Sequence, residues 1–530
     1  MRLTHGALLF SFATFTAFVA LLPTSFSFSR YSGSAVDADF HLTGTHLVKQ
    51  SSSNDDNYRS ETFQESILPD GHLTNVLCLE LNWFWVDISL SSLRREFEEL
   101  DIKFTLISNT EIEERELRTP TPLEYSTKYA SSDHDIRHRS FKGYYLWDLA
   151  MGALCRENKV EPFDIQADIE AWRPKLLAAY EQIVRDIIIA EELIRRHKPS
   201  IILYVQGHVG MSAALRAAAQ QAGVPVLSLE NSMHKDKLVW DCFSGISTQS
   251  KQARVMFDAE SIDTAQSKGA IENYFSNIAG IKMKQHESNT FHENREPLPN
   301  IMLEGNRTVL YIGQVYNDAS IVFGLRDDFV SQSHLIEQLT KIVDEIDAKL
   351  VIRLHPKECS GIPGDDMERL TANMMKEHVK KGYTRDVLTF INNNTDKYTW
   401  DDCRVYNTYD LIRAADVIVT INSQAGLEAA ALGKPLIATG EGFYTGMDFC
   451  KDVHSVSELK GSLVEALAGQ SGYTSDIPLE VAVKFMYFYV YQYGIPRSAT
   501  SVRDKALWSA SHCVHMRSRN VNNPVGADLV

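Results

Sequence analysis

Short apolar runs recur along this chain, each followed by a charged stretch whose apolar residues fall at helical spacing. That alternation leaves few folds open. A run without a polar face must be buried on both sides, as strands of a parallel sheet are when helices cover them. Val76–Leu81, a helix over Leu90–Leu100 and Phe104–Ser108 make one strand–helix–strand unit. A long amphipathic stretch follows from Ile169 to His197, with Pro199 at its end, then strand Ile201–Val205, helix Met211–Ala222 and strand Val226–Leu229. Right-handed crossovers turn such a series into a doubly wound domain.

A second series repeats the pattern. It begins with strand Val309–Ile312 and continues through helix His334–Ile346, strands Leu350–Arg353 and Val417–Thr420, helix Gly426–Leu432 and strand Pro435–Thr439. The polar stretch Gln266–Pro299 between the two series has little periodicity and reads as a linker with an insertion. Pro478–Tyr493, rich in Phe and Tyr, reads as a helix that packs back across the domains. The expectation is an α/β chain of GT-B type: two Rossmann-like domains facing each other across a cleft. Its parts are a signal peptide or signal anchor over 1–28, a disordered stem over 29–70 and an N-terminal acceptor domain over 71–264. A linker over 265–300, a nucleotide-sugar domain over 301–475, a C-terminal helix over 476–510 and a disordered tail over 511–530 complete it. A length of 530 residues is enough for at least two cores.

Arg2 and His5 precede an apolar run from Ala7 to Leu22, which Pro23 ends. The run is shorter than the ~20 residues of a spanning helix, and a cleavable signal and an uncleaved anchor fit it equally. Ser29–Asp70, including the polar run Ser51–Asn57, has the composition of a tether. Two triplets, Asn306-Arg307-Thr308 and Asn393-Asn394-Thr395, have the form of N-glycosylation acceptors. The expected location is therefore anchored in the secretory pathway (Golgi or ER lumen) or secreted, with peripheral membrane attachment as the alternative. The net charge of −16 argues against a nucleic-acid partner. The seven cysteines show no zinc spacing, and no metal site is expected.

Four stretches carry chemistry. In Ala414–Gly446 a buried strand ends at Thr420, Asn422-Ser423-Gln424 turns, and a helix starts near Gly426. Free N–H groups at that helix start, with the Ser423 hydroxyl, suit an anion. A routine helix cap explains the same residues. Glu428, near the start of the helix, suits ribose hydroxyls or merely the helix dipole, and Tyr444 stands between glycines in a loop over the same cleft. The strand ending in Arg353 carries His355 and Lys357 past a turn at Pro356. After the first strand of the second domain come Gln314 and Asp318, the latter a candidate catalytic carboxylate or an ordinary loop cap. Leu229-Glu230-Asn231-Ser232 ends a strand of the first domain, and Glu230 is expected to face Asp318 across the cleft.

With these stretches in place the chain resembles the capsule polysaccharide biosynthesis family, which includes bacterial β-Kdo transferases (Kdo is an acidic eight-carbon ulosonic sugar). The resemblance rests on the Asn-Ser-x-x-Gly-x-Glu-Ala, Gly-Lys-Pro and Gly-x-x-x-Tyr pattern from Asn422 to Tyr444, on the His355-Pro356 pair, and on Gln314 with Asp318. It implies a CMP-activated sugar donor held by the His-Pro and Ser motifs, with no cofactor and no catalytic metal. It also implies retention through a carboxylate nucleophile, which maps to Asp318, with Glu230 as acid/base on a glycan or glycolipid acceptor. The nucleotide-sugar-binding set it gives is Gln314, Arg353, His355, Lys357, Asn422, Ser423, Gly426, Glu428 and Tyr444. The sequence departs from the family at Asn422, where Ser or Thr is common, at Asn231, where the family has Gly, and in its apolar N-terminus. GT-B sialyltransferases share the same motif logic. Two alternatives are a non-hydrolysing sugar-nucleotide epimerase on the same fold and a non-enzymatic carbohydrate-binding protein on a GT-B scaffold.

Overall fold

The structure is a computed structural model. It describes residues 73–521 apart from 82, 84–85, 121–135, 243–251, 278–295, 304, 317, 356–369, 402–405 and 470–475. The chain divides into Met1–Thr43 and Gly44–Val530, and every described residue belongs to the second unit. The N-terminal apolar segment, the stem and Lys357 thus lie outside the described residues. Among the described residues no helix is long and apolar enough to cross a membrane.

The first half opens with β1 (Asn75–Leu79), α1 (Leu90–Glu98), β2 (Lys103–Ile107) and α2 (Asn109–Arg118). A small hairpin of β3 (Ser140–Phe141) and β4 (Tyr144–Tyr145) leads to α3 (Leu146–Asn158), α4 (Pro162–Ala167) and α5 (Ile169–His197). Next come β5 (Ile201–Val205), α6 (Gly210–Ala222), β6 (Val226–Asn231) and β7 (Lys237–Asp241), followed by α7 (Gln252–Asp258) and α8 (Thr264–Ser276). Ser89, Ser108 and Asp168 cap α1, α2 and α5 by accepting backbone N–H bonds. Left-handed Lys198, just before Pro199, ends α5. The segment read as an unpatterned linker holds α8, capped by Asp263. Its apolar face is sparse, only Ser267, Ile271 and Tyr274 being buried, which is why periodicity does not reveal it.

The second half runs β8 (Thr308–Ile312), α9 (Ala319–Gly324), α10 (Gln332–Glu345), β9 (Lys349–Arg353), α11 (Leu370–Lys380), α12 (Val387–Asn393) and β10 (Tyr398–Asp401). It continues with α13 (Thr408–Ala414), β11 (Val417–Thr420), α14 (Gln424–Ala431), β12 (Leu436–Ala438), β13 (Cys450–Asp452) and α15 (Val456–Leu467). α16 (Asp476–Tyr487) passes into a π-helix over Phe488–Tyr493, then β14 (Ile495–Pro496) and α17 (Ala499–Val521). The helix α17 thus extends into 511–530, the stretch expected to be a disordered tail.

The second sheet has the order β10-β9-β8-β11-β12-β13 and is parallel throughout. In sequence rank this is 3-2-1-4-5-6, the Rossmann order, whose direction of winding reverses between β8 and β11. The first sheet runs β14-β7-β6-β5-β1-β2, parallel from β6 to β2, with antiparallel β7 and β14 at one edge. Its reversal lies between β1 and β5. The strand β14 comes from the C-terminal end of the chain, so α16 and the π-helix carry the polypeptide back from the second domain to the first. Their aromatics are core, as Phe443 stacked on Tyr489 at 4.1 Å shows. One apolar cluster reaches from Val76 and Leu203 through Phe485 and Phe488 to Ile418 and Leu436, so the two sheets share it. These are the two Rossmann-like domains of a GT-B fold.

Candidate functional site

Loops that leave the C-terminal ends of parallel strands at a reversal point diverge and open a crevice between them. At the reversal of the second sheet the two loops are Gly313–Asp318, after β8, and Ile421–Ser423, after β11. A hydrogen bond joins them: Gln314 Nε2 donates to Asn422 Oδ1 at 2.6 Å. Asn422 Nδ2 donates in turn to the carbonyl of Glu441, at 2.6 Å, in the loop after β12. Gln314 is itself fixed through its backbone. Gln332 Oε1 accepts its N–H at 2.8 Å, and Gln332 Nε2 donates to its carbonyl at 3.1 Å. The sequence reading overlooked Gln332, because a Gln in the first turn of an amphipathic helix carries no signal of its own.

Ser423 caps α14. Its hydroxyl accepts from Ala425 N at 3.4 Å, a long bond, while its own N–H donates to Thr420 Oγ1 at 3.2 Å. Tyr444 is fully buried and donates its hydroxyl to the Ser423 carbonyl at 2.8 Å. Tyr444 therefore holds the turn from behind. Gly426 is required by the same contact, since a Cβ there would stand 2.6 Å from the Tyr444 hydroxyl. Glu428 is 1% exposed, and its carboxylate accepts from Tyr274 at 2.6 Å and Tyr409 at 3.1 Å. Burial, aided by the Glu428 charge, pushes both phenols above their ordinary range. Glu428 thus faces α8 and α13, whose tyrosines occupy the carboxylate that the sequence offered to ribose hydroxyls.

Arg353, the last residue of β9, is buried. Its guanidinium pairs with Asp401 of β10 and donates to Thr408 Oγ1 at 3.1 Å. This pair fastens neighbouring strand ends beneath the site. Beyond it, half-buried His355 leaves the same strand end.

Asp318 is exposed, two residues beyond Tyr316, and its carbonyl accepts the N–H groups of Ile321 and Val322 at 2.9 Å at the start of α9. Across from it lies His208, in the loop that follows β5 at the reversal point of the first sheet. The His208 ring meets Phe323 of α9 edge-on, with centroids 6.1 Å apart. Its Nδ1 is buried without a hydrogen-bond partner. Burial drives its imidazole down to about 4 against the pull of the Asp318 carboxylate, with Arg156 and Arg216 adding to the depression. The loop is shaped for this. Gln206 sits at φ 58°, strained for a residue with a side chain. Arg216 Nε holds the Gly207 carbonyl at 2.8 Å, and Ser212 holds those of Gln206 and Val209 at 2.8 and 2.7 Å. Gly152 of α3 lets the His208 carbonyl approach to 2.0 Å of where a Cβ would be. A Gly-His pair after an apolar strand was the available sequence signal. Glu230 is the last residue but one of β6, next to β5; desolvation raises the buried Tyr489 phenol of the π-helix, and the Glu230 charge adds to it.

A second buried cluster ties the domains together beneath this pair. Tyr316 donates to Asp164 Oδ2 at 2.9 Å, and His378 Nε2 stands 2.6 Å from Asp164 Oδ1 and 3.0 Å from the Tyr316 hydroxyl. Burial works to raise the Asp164 carboxyl, and the bonds from His378 and Tyr316 outweigh it and hold it low. Glu161, which caps α4, accepts the Gln332 N–H at 2.9 Å. Burial pushes this carboxyl well up. Two acids of the first domain thus grip the residues that flank Gln314. Among the described residues no three His, Cys, Asp or Glu side chains gather as a metal site would need.

Two Rossmann-like sheets with their reversal points brought together define the architectural class as GT-B. Residues 265–461, which hold the Gln314, His355 and Ser423 motifs, match the family model of capsule polysaccharide biosynthesis proteins, the family that the sequence resembles. Among solved structures the chain is similar to the Thermosulfurimonas dismutans KpsC β-Kdo 2,7 transferase, at 14% identity and TM-score 0.35 over 84% of this chain and 99% of that one. It is also similar to the KpsC β-Kdo 2,4 transferase of the same organism, at 16% identity and TM-score 0.33 over 54% of this chain and 79% of that one. A third is the UDP-N-acetylglucosamine 2-epimerase of Rickettsia bellii, at 13% identity and TM-score 0.31 over 85% of this chain and 99% of that one. No curated protein matches the chain.

Proposed function

We propose that this protein is a glycosyltransferase that moves an acidic sugar such as Kdo from a CMP donor to a glycan or glycolipid hydroxyl, with retention of configuration. The observation that carries this reading is the Gln314–Asn422 bridge over the reversal point of the second sheet, beside the Ser423 turn. It fixes the turn at the start of α14, and a helix start at the reversal point of a parallel sheet is where a nucleotide phosphate is best held. The family match over 265–461 supports a role in polysaccharide synthesis.

In this reading the Ser423 turn and His355 hold the CMP, and Lys357, outside the described residues, is assigned to the same phosphates. Arg353, Glu428, Gly426 and Tyr444 act from behind by fixing the loops. Asp318 attacks the anomeric carbon; the bond to CMP breaks and its electrons leave with the phosphate. The acceptor hydroxyl then displaces Asp318, giving its proton to Glu230 and restoring the original configuration. The reaction is proposed to need no metal, so chelation by EDTA should leave the rate unchanged. The N-terminal segment is proposed to place the enzyme at a membrane of the secretory pathway.

A thermal-shift series of the full chain with CMP, CDP, UDP and GDP tests the donor assignment, since a ligand that binds only the native state raises its melting temperature. A shift with CMP that is lost in His355→Ala is expected. A shift with UDP alone would overturn the CMP assignment and favour the epimerase reading, which conversion of a UDP-sugar without acceptor would then establish.

A further inference from the structure

The only disulfide among the described residues joins Cys242, just beyond β7, to Cys513 in α17, with Cα atoms 6.2 Å apart across a sequence separation of 271. Cys78, Cys155 and Cys450 remain buried thiols. A bond that closes so long a loop is kept where thiols are oxidised, on secretory routes and outside cells, and is rare in reducing cytosol. In such a compartment the two Asn-x-Thr triplets become acceptors for oligosaccharide.

Both acceptor asparagines are exposed. Asn306 follows a turn closed by its own N–H to the Leu303 carbonyl at 3.3 Å, two residues ahead of β8. Asn393 ends α12, ahead of β10. The strands β8, β9 and β10 are parallel neighbours, so both asparagines stand at the edge where these strands begin. Gln314 and His355 leave the edge where β8 and β9 end. Five residues of extended strand separate the two edges by roughly 17 Å. Chains of sugar at Asn306 and Asn393 would project away from the site and leave both reversal points open. Thr308 of the first triplet is buried in β8, so its modification must precede the closing of that strand.

We propose that Asn306 and Asn393 are N-glycosylation sites, modified as the chain enters an oxidising secretory lumen. In each transfer the asparagine side-chain nitrogen forms a bond to C1 of an oligosaccharide. The bond between C1 and a lipid pyrophosphate breaks, the lipid pyrophosphate leaves with that electron pair, and the amide gives up a proton. The disulfide forms in the same compartment as Cys242 and Cys513 lose two electrons and two protons to a disulfide oxidant of the thiol-exchange class, which becomes a dithiol. Neither step depends on the sugar donor proposed above.

The test expresses the full chain in cultured eukaryotic cells and follows its mobility before and after peptide-N-glycosidase F, with thiols counted by alkylation and mass spectrometry. The wild type should show two removable glycans and protected Cys242 and Cys513. Asn306→Gln should remove one glycan, and Asn393→Gln or Thr395→Ala the other. A chain indifferent to the glycosidase, with Cys242 and Cys513 alkylated, would overturn both the glycosylation and its compartment. Intact disulfide without glycan would overturn the acceptor assignment alone, and a single glycan would overturn it for the site that lacks one.

Discussion

His208 shows how the surroundings of one side chain change its titration. A histidine in water titrates near 6.5, whereas this one is driven to about 4. Below pH 6.5 the unfolded chain binds a proton that the folded chain refuses. Stability therefore falls as the pH drops from about 6.5 to about 4, by about 1.4 kcal/mol for each unit of depression. Urea melts between pH 7 and pH 4 should show that loss in the wild type and a shallower one in His208→Asn. Ser423→Ala separates cap from ligand: about 0.5–2 kcal/mol of stability is expected to go with the cap, and calorimetric titration should show CMP binding weakened about tenfold beyond that.

Among the elements, α4 is a short helix with a large effect, because Glu161 and Asp164 grip the second domain from it. Asp164 has a depressed pKa, so its contribution is present above the unfolded value near 3.9 and is lost as the pH falls through the lower folded value. Breaking such a buried pair by Asp164→Asn should cost about 3–5 kcal/mol, read from denaturant melts at pH 7. On α3, Gly152→Ala drives a Cβ into the His208 carbonyl and should cost about 1–3 kcal/mol together with most of the activity. The repeated strands were legible because strands buried on both faces must be apolar; β5 and β11 fall at the expected residues. The loops after β8 and β11 were legible as loops too, since their small and polar residues break the apolar strand pattern. Gln332, Asp164 and His378 were not, because their roles come from partners more than a hundred residues away or from another helix. The enclosure of Glu428 was not legible for the same reason. Its position in α14 was readable, but the tyrosines that enclose it arrive from α8 and α13.

For the whole molecule, the chain's return from the second domain to the first is what unites the two halves. The π-helix stacks on the second domain, β14 completes the first sheet, and Cys513 bonds to Cys242. Reduction of that disulfide should lower stability by about 2–4 kcal/mol, read from denaturant melts with and without dithiothreitol. The two reversal points are thereby brought together, with the Gln314 and Ser423 loops from the second sheet and the His208 loop from the first. Asp318 is proposed to act there on an activated sugar. The most direct test of that proposal measures CMP release and sugar transfer from CMP-Kdo by the full-length protein and by Asp318→Asn. The wild type is expected to turn over and the variant to lose at least about a hundredfold in kcat, with CMP affinity unchanged. A variant as fast as the wild type, or a wild type that releases no CMP, would contradict it.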